Sequence, residues 1–134
     1  MDDGPRTVAG TTLPADVREL IILRVAVLNG AAFEWTAHEP IARRAGLDDA
    51  QLAALRSRDA GSAPVWTPLH QAVLAFTDAS TTSVTVPEPV FAALRAHLDE
   101  RQVVEAVVTV GGYAMVSRFL VALEVPPPDG EVAG

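Results

Sequence analysis

Glu19, Glu34 and His38 are the side chains whose types and spacing suit proton transfer. Glu19 opens the apolar run Leu20-Ile21-Ile22-Leu23. A carboxylate in such a place is either paired or desolvated, and desolvation raises its pKa toward general acid–base use. The plainer alternative is a first-turn glutamate held by the helix dipole or by a salt bridge within its own helix. Glu34 and His38 are four residues apart and share one helix face. That pair can orient an imidazole, hold a metal, or simply be a solvated surface pair. A metal would need a third ligand at a sensible position, and the sequence offers none, so no metal site is expected. His70 and His97 fall on polar helix faces with no acidic or hydroxyl partner at productive spacing, and both read as surface residues.

Composition narrows the chemistry further. Cysteine is absent, which removes disulfides, zinc thiolates, iron–sulfur clusters and thiol nucleophiles. All 10 basic residues are arginine, so a Schiff-base lysine is also excluded. A net charge of −7 with no basic patch argues against nucleic acid as a partner. The apolar run Leu20 to Leu28 is interrupted by Arg24 and is too short to span a bilayer. The acidic start Met1-Asp2-Asp3 is not followed by a signal-type apolar segment. The expectation is a soluble cytoplasmic protein with no membrane partner.

The elements that must position these residues are all helical. With 134 residues and 49% hydrophobic content the chain reads as one domain, residues 13–124, between a leader at 1–12 and a flexible tail at 125–134. A buried helix starts near Pro14 and stops at Asn29-Gly30. A second runs from Phe33 to Ala45. Asp48 and Gln51 form a capping box for a short helix to about Arg56. Residues 58–66 form a loop. Thr67-Pro68 opens a helix to Thr77 or Ala79, after which Thr81 to Val86 is read as a linker. Pro87 or Pro89 begins another helix, ending near Leu98. Asp99 and Gln102 cap the last and longest one, Glu100 to Leu123, whose Gly111-Gly112 pair suggests close helix contact or a bend. Aromatics are only 5%, so an Ala, Val and Leu core calls for a partner chain to bury enough area.

The run LPADVRELIILRVAVLNGAAFEWTAHEPIARRAGL resembles the carboxymuconolactone decarboxylase family, a relative of the AhpD-like alkylhydroperoxidases. YAMVSRFLVALEVPPPDG resembles the family's C-terminal helix, so the likeness spans about residues 13–130. The redox branch carries Glu-x11-Cys-x-x-Cys-x-x-x-His, and here Glu19 and His38 keep that spacing while Ala31 and Glu34 stand at the thiol positions. The resemblance implies an all-α AhpD-like bundle, a homo-oligomer (dimer, trimer or hexamer), and no cofactor. It places Glu19 and His38 at one pocket, with His38 as proton shuttle and Glu19 as its orienter or as the acid. Glu34, one turn before His38, would hold the ring's tautomer. Phe33-Glu34-Trp35 stands where the decarboxylase-like branch has Tyr-Glu-Trp, which puts Phe33 and Trp35 on the substrate side, Trp35 as platform or packing residue. Arg118 matches the family's Tyr-x-x-x-x-Arg and is either a clamp for a substrate carboxylate or a salt bridge to another helix or subunit. Many relatives carry a further helical segment before this start, so the chain is expected to be either a minimal version or one whose exposed face a partner subunit covers.

The function expected from this is a cofactor-independent lyase or isomerase using Glu/His acid–base chemistry on a small carboxylated or carbonyl-activated substrate. 4-Carboxymuconolactone or a biosynthetic intermediate would fit, and a thiol peroxidase would not. The alternatives are a non-catalytic binding or assembly subunit that retains the fold, and a metal-dependent hydrolase.

Overall fold

Pro14 sets the start of α1 (Ala15–Asn29), and nine consecutive positions from Leu20 through Leu28 offer only Arg24 as a polar interruption. Such a helix cannot face water on any side and becomes the centre of the bundle. It packs against α2 (Ala32–Arg44), α4 (Pro68–Ser83) and α6 (Glu100–Ala122) in a computed structural model that describes residues 12–128. Gly30 ends α1 in the left-handed region at φ 66°, and the N–H of Ala31 returns to the Ala26 carbonyl at 2.8 Å. This closure reverses the chain and lays α2 back along α1. The first two helices lie within a residue of their expected bounds. All elements among the described residues are helical, so the all-α reading holds.

The remaining helices begin where their local chemistry says. Asp48 and Gln51 complete a capping box for α3 (Asp49–Leu55), and Asp99 and Gln102 do so for α6. α5 (Glu88–His97) follows Pro87. The segment 58–66 contains one short 3-10 turn, Ala60–Ser62. Thr67 caps α4 as expected, but that helix runs to Ser83 rather than stopping at Thr77 or Ala79. Thr77 and Thr82 each turn a hydroxyl back to the carbonyl four residues earlier, at 2.8 and 2.7 Å, which lets β-branched residues sit in the helix.

Two polar ties fix the register of α1 against α4. His70 Nε2 meets Asp16 Oδ2 at 3.0 Å, and Arg24 Nε donates to Asp78 Oδ1 at 2.7 Å. Both partners lie 54 residues apart, so the two helices run parallel with one constant offset. The ties sit eight residues apart on α1, roughly 12 Å along its axis. His70 is therefore not a surface residue. It is 6% exposed, accepts the Thr67 N–H at Nδ1, and stacks edge-on to Trp66. His97 does lie exposed.

Arg24 is the largest fully buried side chain and is only 1% exposed. Besides both oxygens of Asp78, it donates to the carbonyls of Leu55 and Ser57 at 2.8 Å and of Arg58 at 3.2 Å. A buried guanidinium needs such saturation, because an unmatched charge in the core is costly. One side chain thus joins α1, α4 and the chain that leaves α3.

α6 turns Val103, Ala106, Val110, Ala114 and Ser117 inward. By length and composition alone it could also cross a bilayer. Its outward side leaves Val104, Val108, Met115, Phe119 and Leu123 at least 60% exposed. Beyond the helix's own adjacent backbone, nothing lies within 4 Å of the place a Cβ would occupy on Gly111 or Gly112, and the helix runs unbroken through both. The close approach or bend expected at that pair is not found among the described residues.

Candidate functional site

The reversal at Gly30 brings the end of α2 beside the start of α1. His38, nineteen residues from Glu19 in the chain, meets it at 2.8 Å between Nδ1 and Oε1. Glu19 is 2% exposed, and its other oxygen accepts from Arg18 Nε at 3.2 Å. Both carboxylate oxygens are thus accepting. That makes Nδ1 the donor in the pair, so whenever the ring is neutral the free lone pair is on Nε2. Nε2 has no hydrogen-bond partner among the described residues, and His38 keeps 17% of its side chain accessible. The arrangement is a carboxylate–imidazole dyad with its basic nitrogen turned away from the carboxylate.

Glu34 takes a different part from the one expected of it. The Nδ1 of His38 is held by Glu19, so Glu34 does not set the tautomer. It is 5% exposed, and its Oε2 is buried with no hydrogen-bond partner. Burial pushes the Glu34 carboxyl above its ordinary value, and the neighbouring His38 only partly opposes this. The two carboxylates have divided the work according to packing: the paired one orients the imidazole, and the unpaired one favours holding its proton.

Tyr113 on α6 closes the cluster from the third side. Its ring meets His38 edge-on at a centroid distance of 5.5 Å. Burial raises its hydroxyl pKa, the charges of Glu34 and Glu19 raise it further, and Arg18 counteracts them. Sequence reasoning gave neither Tyr113 nor Arg18 a role, although Tyr113 is the tyrosine of the Tyr-x-x-x-x-Arg match. The signals were there: Tyr113 is the chain's sole tyrosine, set in an apolar helix, and Arg18 adjoins Glu19. Glu19, Arg18, Glu34, His38 and Tyr113 together present a base, a proton donor and a phenol at one seam of α1, α2 and α6.

The other expected site residues border separate cavities, whose described linings include none of Glu19, Glu34, His38 and Tyr113. Trp35 is buried, its Nε1 donates to Glu39 at 3.2 Å, and the Arg56 guanidinium covers its face 3.9 Å from the ring centroid. That face is occupied, so Trp35 acts in packing rather than as a platform. Phe33 borders a cavity of about 160 Å³ between the start of α2 and the end of α6. Arg118 is exposed near the end of α6 and has no ion pair among the described residues, so the salt-bridge alternative within this chain is not realised. Among the described residues no group of three His, Asp or Glu side chains is placed to hold a metal. A larger cavity, about 590 Å³, lies between α5 and the first turns of α6. Its nearest α6 residue, Val104, is nine positions before Tyr113, roughly 13 Å along the helix. Cavity size and chemistry therefore point to different places: the perturbed and oriented groups gather at the seam, away from the larger cavity.

Comparison with known proteins gives the same frame. The carboxymuconolactone decarboxylase family model matches residues 6–84. A protein of unknown function from Agrobacterium tumefaciens, suggested to be the antioxidant defence protein AhpD, is 28% identical with a TM-score of 0.80. The match covers 87% of this chain and 80% of that one. An uncharacterized peroxidase-related protein from Silicibacter sp. TM1040 is 21% identical with a TM-score of 0.77, over 90% of this chain and 63% of that one. No curated protein matches.

Proposed function

This chain belongs to the carboxymuconolactone decarboxylase family, and from that premise we propose that it is a cofactor-independent lyase or isomerase working by proton transfer at carbon. The observation that carries the reading is the 2.8 Å Glu19–His38 pair standing beside a buried carboxyl with an unpartnered oxygen. An imidazole oriented by one carboxylate, beside a second carboxyl whose burial favours its protonated form, suits moving a proton onto or off carbon. Thiol peroxidase chemistry, suggested by the names of the similar structures, has no nucleophile here, since Ala31 and Glu34 occupy the thiol positions.

The substrate class is a small acid or carbonyl compound able to delocalise a carbanion. In a decarboxylation the carboxylate leaves as CO₂ and its bonding electrons pass into the conjugated carbonyl, giving a dienolate. Glu34 or a protonated His38 then delivers a proton to carbon, and the lone pair of the carbanion forms the new C–H bond. In an isomerisation His38 Nε2 first removes the proton that is later returned. Glu19 keeps the imidazole aligned and balances the positive charge it gains.

The test supplies 4-carboxymuconolactone and related lactone acids in deuterated water, following CO₂ release and deuterium at the product carbon. Wild-type protein should incorporate one solvent deuteron. His38→Gln should be slower by about 100-fold or more, the usual scale of a lost acid–base group. Equal turnover by wild type and His38→Gln would remove His38 from the mechanism. Failure of the wild type to turn over any member of the panel would favour a binding subunit.

A further inference from the structure

Two polar atoms without partners meet one cavity farther along the same seam. The cavity, about 360 Å³, is bordered by Asn29 from the last turn of α1 and by Ser117, Arg118, Val121 and Ala122 from α6. Ser117 is wholly buried, yet its Oγ makes no hydrogen bond. It does not even turn back to a carbonyl of its own helix, as Thr77 and Thr109 do. The Nδ2 of Asn29 is likewise buried without a partner. Native proteins satisfy nearly all such groups, so two orphans on one cavity are a signature of a missing guest. Arg118 adds a guanidinium with no ion pair among the described residues.

All three groups can donate: an amide N–H, a hydroxyl and a guanidinium. The guest group must therefore accept several hydrogen bonds and tolerate a positive neighbour. A carboxylate meets both demands. A phosphate dianion is disfavoured, because Arg118 is the one cationic side chain among the described residues lining the cavity and balances a single negative charge. Ser117 lies one turn beyond Tyr113 on the same side of α6, about 6 Å along its axis. Asn29 lies ten residues beyond Glu19 on α1, about 15 Å along its axis, so the cavity is set off from the Glu19–His38 pair on both helices.

We infer that Asn29 and Ser117, together with Arg118, form a carboxylate-binding subsite that selects small acids over uncharged analogues. The inference rests on the reading of His38 as the reaction centre, but the subsite's existence is tested without turnover.

The probe is 4-fluorobenzoate, titrated into the full chain by fluorine NMR, with 4-fluorobenzyl alcohol as an uncharged control of the same shape. The acid should bind roughly tenfold or more tightly than the alcohol, and Arg118→Gln should erase that preference. Ser117→Ala should weaken the acid severalfold while leaving the unliganded protein as stable as wild type or more so, because it deletes an unsatisfied hydroxyl. Asn29→Ala should weaken the acid as well. His38→Gln should bind it normally. Equal affinity for acid and alcohol would overturn the subsite, as would unchanged binding by both Ser117→Ala and Arg118→Gln. Loss of binding in His38→Gln would also overturn it, by placing the probe at the reaction centre. Should the subsite hold while His38→Gln turns substrate over normally, it is the proposed mechanism that fails.

Discussion

Replacing Glu34 by glutamine should make the protein more stable at neutral pH and less active. The carboxyl is buried, one oxygen has no partner, and burial holds it above its ordinary value of 4.5. A raised folded-state value means that the native protein binds this proton more tightly than the unfolded chain does. The resulting stability is fully present below pH 4.5 and is lost as the pH rises through the folded-state value. Within that window one proton at most separates the two states. The slope from Glu34 alone is therefore bounded at about 1.4 kcal/mol per pH unit. Glu34→Gln has nearly the same shape and no such slope. Urea unfolding, followed by circular dichroism between about pH 4 and about pH 8, isolates the effect in the difference between variant and wild type. That difference should move in the variant's favour with rising pH and then level off. A flat difference, or one that falls with pH, would refute the claim that Glu34 is a desolvated carboxyl. Lower turnover in the stabilised variant would show the trade expected of a functional group held against its own preference.

Asp78→Ala should be among the most damaging single changes outside the site. It strips the buried Arg24 of its carboxylate, at a cost of about 3 kcal/mol, and Arg24→Met with Asp78→Ala should recover part of that loss in a double-mutant cycle. Additive effects in urea unfolding would mean that the pair is not coupled. The exposed apolar side of α6 should be an association surface between copies of this chain. Light scattering should report a mass above that of one chain for the wild type and a lower mass for Phe119→Asp. A monomeric wild type would leave that face without this role.

The helices that the residues announce most clearly are those with local punctuation. Asn29-Gly30, the Asp48/Gln51 and Asp99/Gln102 boxes and Thr67-Pro68 are short-range rules, and each marks an observed boundary. Where no local rule exists, reading fails in a patterned way. The continuation of α4 through Thr81 and Thr82 depends on hydroxyl-to-carbonyl bonds that propensity alone does not weigh. Glu19 and His38 were paired through the family's spacing, since nothing in a nineteen-residue separation fixes a contact. Which carboxylate would reach Nδ1 was decided by how α2 folds back on α1, a tertiary fact. Asp16 with His70 and Arg24 with Asp78 are both separated by 54 residues, and no sequence period advertises them. The orphaned Ser117 was invisible for the same reason: a serine in a helix looks ordinary until its surroundings are known.

The Arg24 network has a consequence for how freely this protein can vary. Two of its acceptors are the main-chain carbonyls of Ser57 and Arg58, which every amino acid carries. Their side chains are exposed, so natural drift or a designed library can rewrite both positions without loosening the tie. An insertion or deletion there is another matter, because it shifts the carbonyls away from a guanidinium that cannot follow. The loop after α3 should therefore be permissive in its letters and strict in its length.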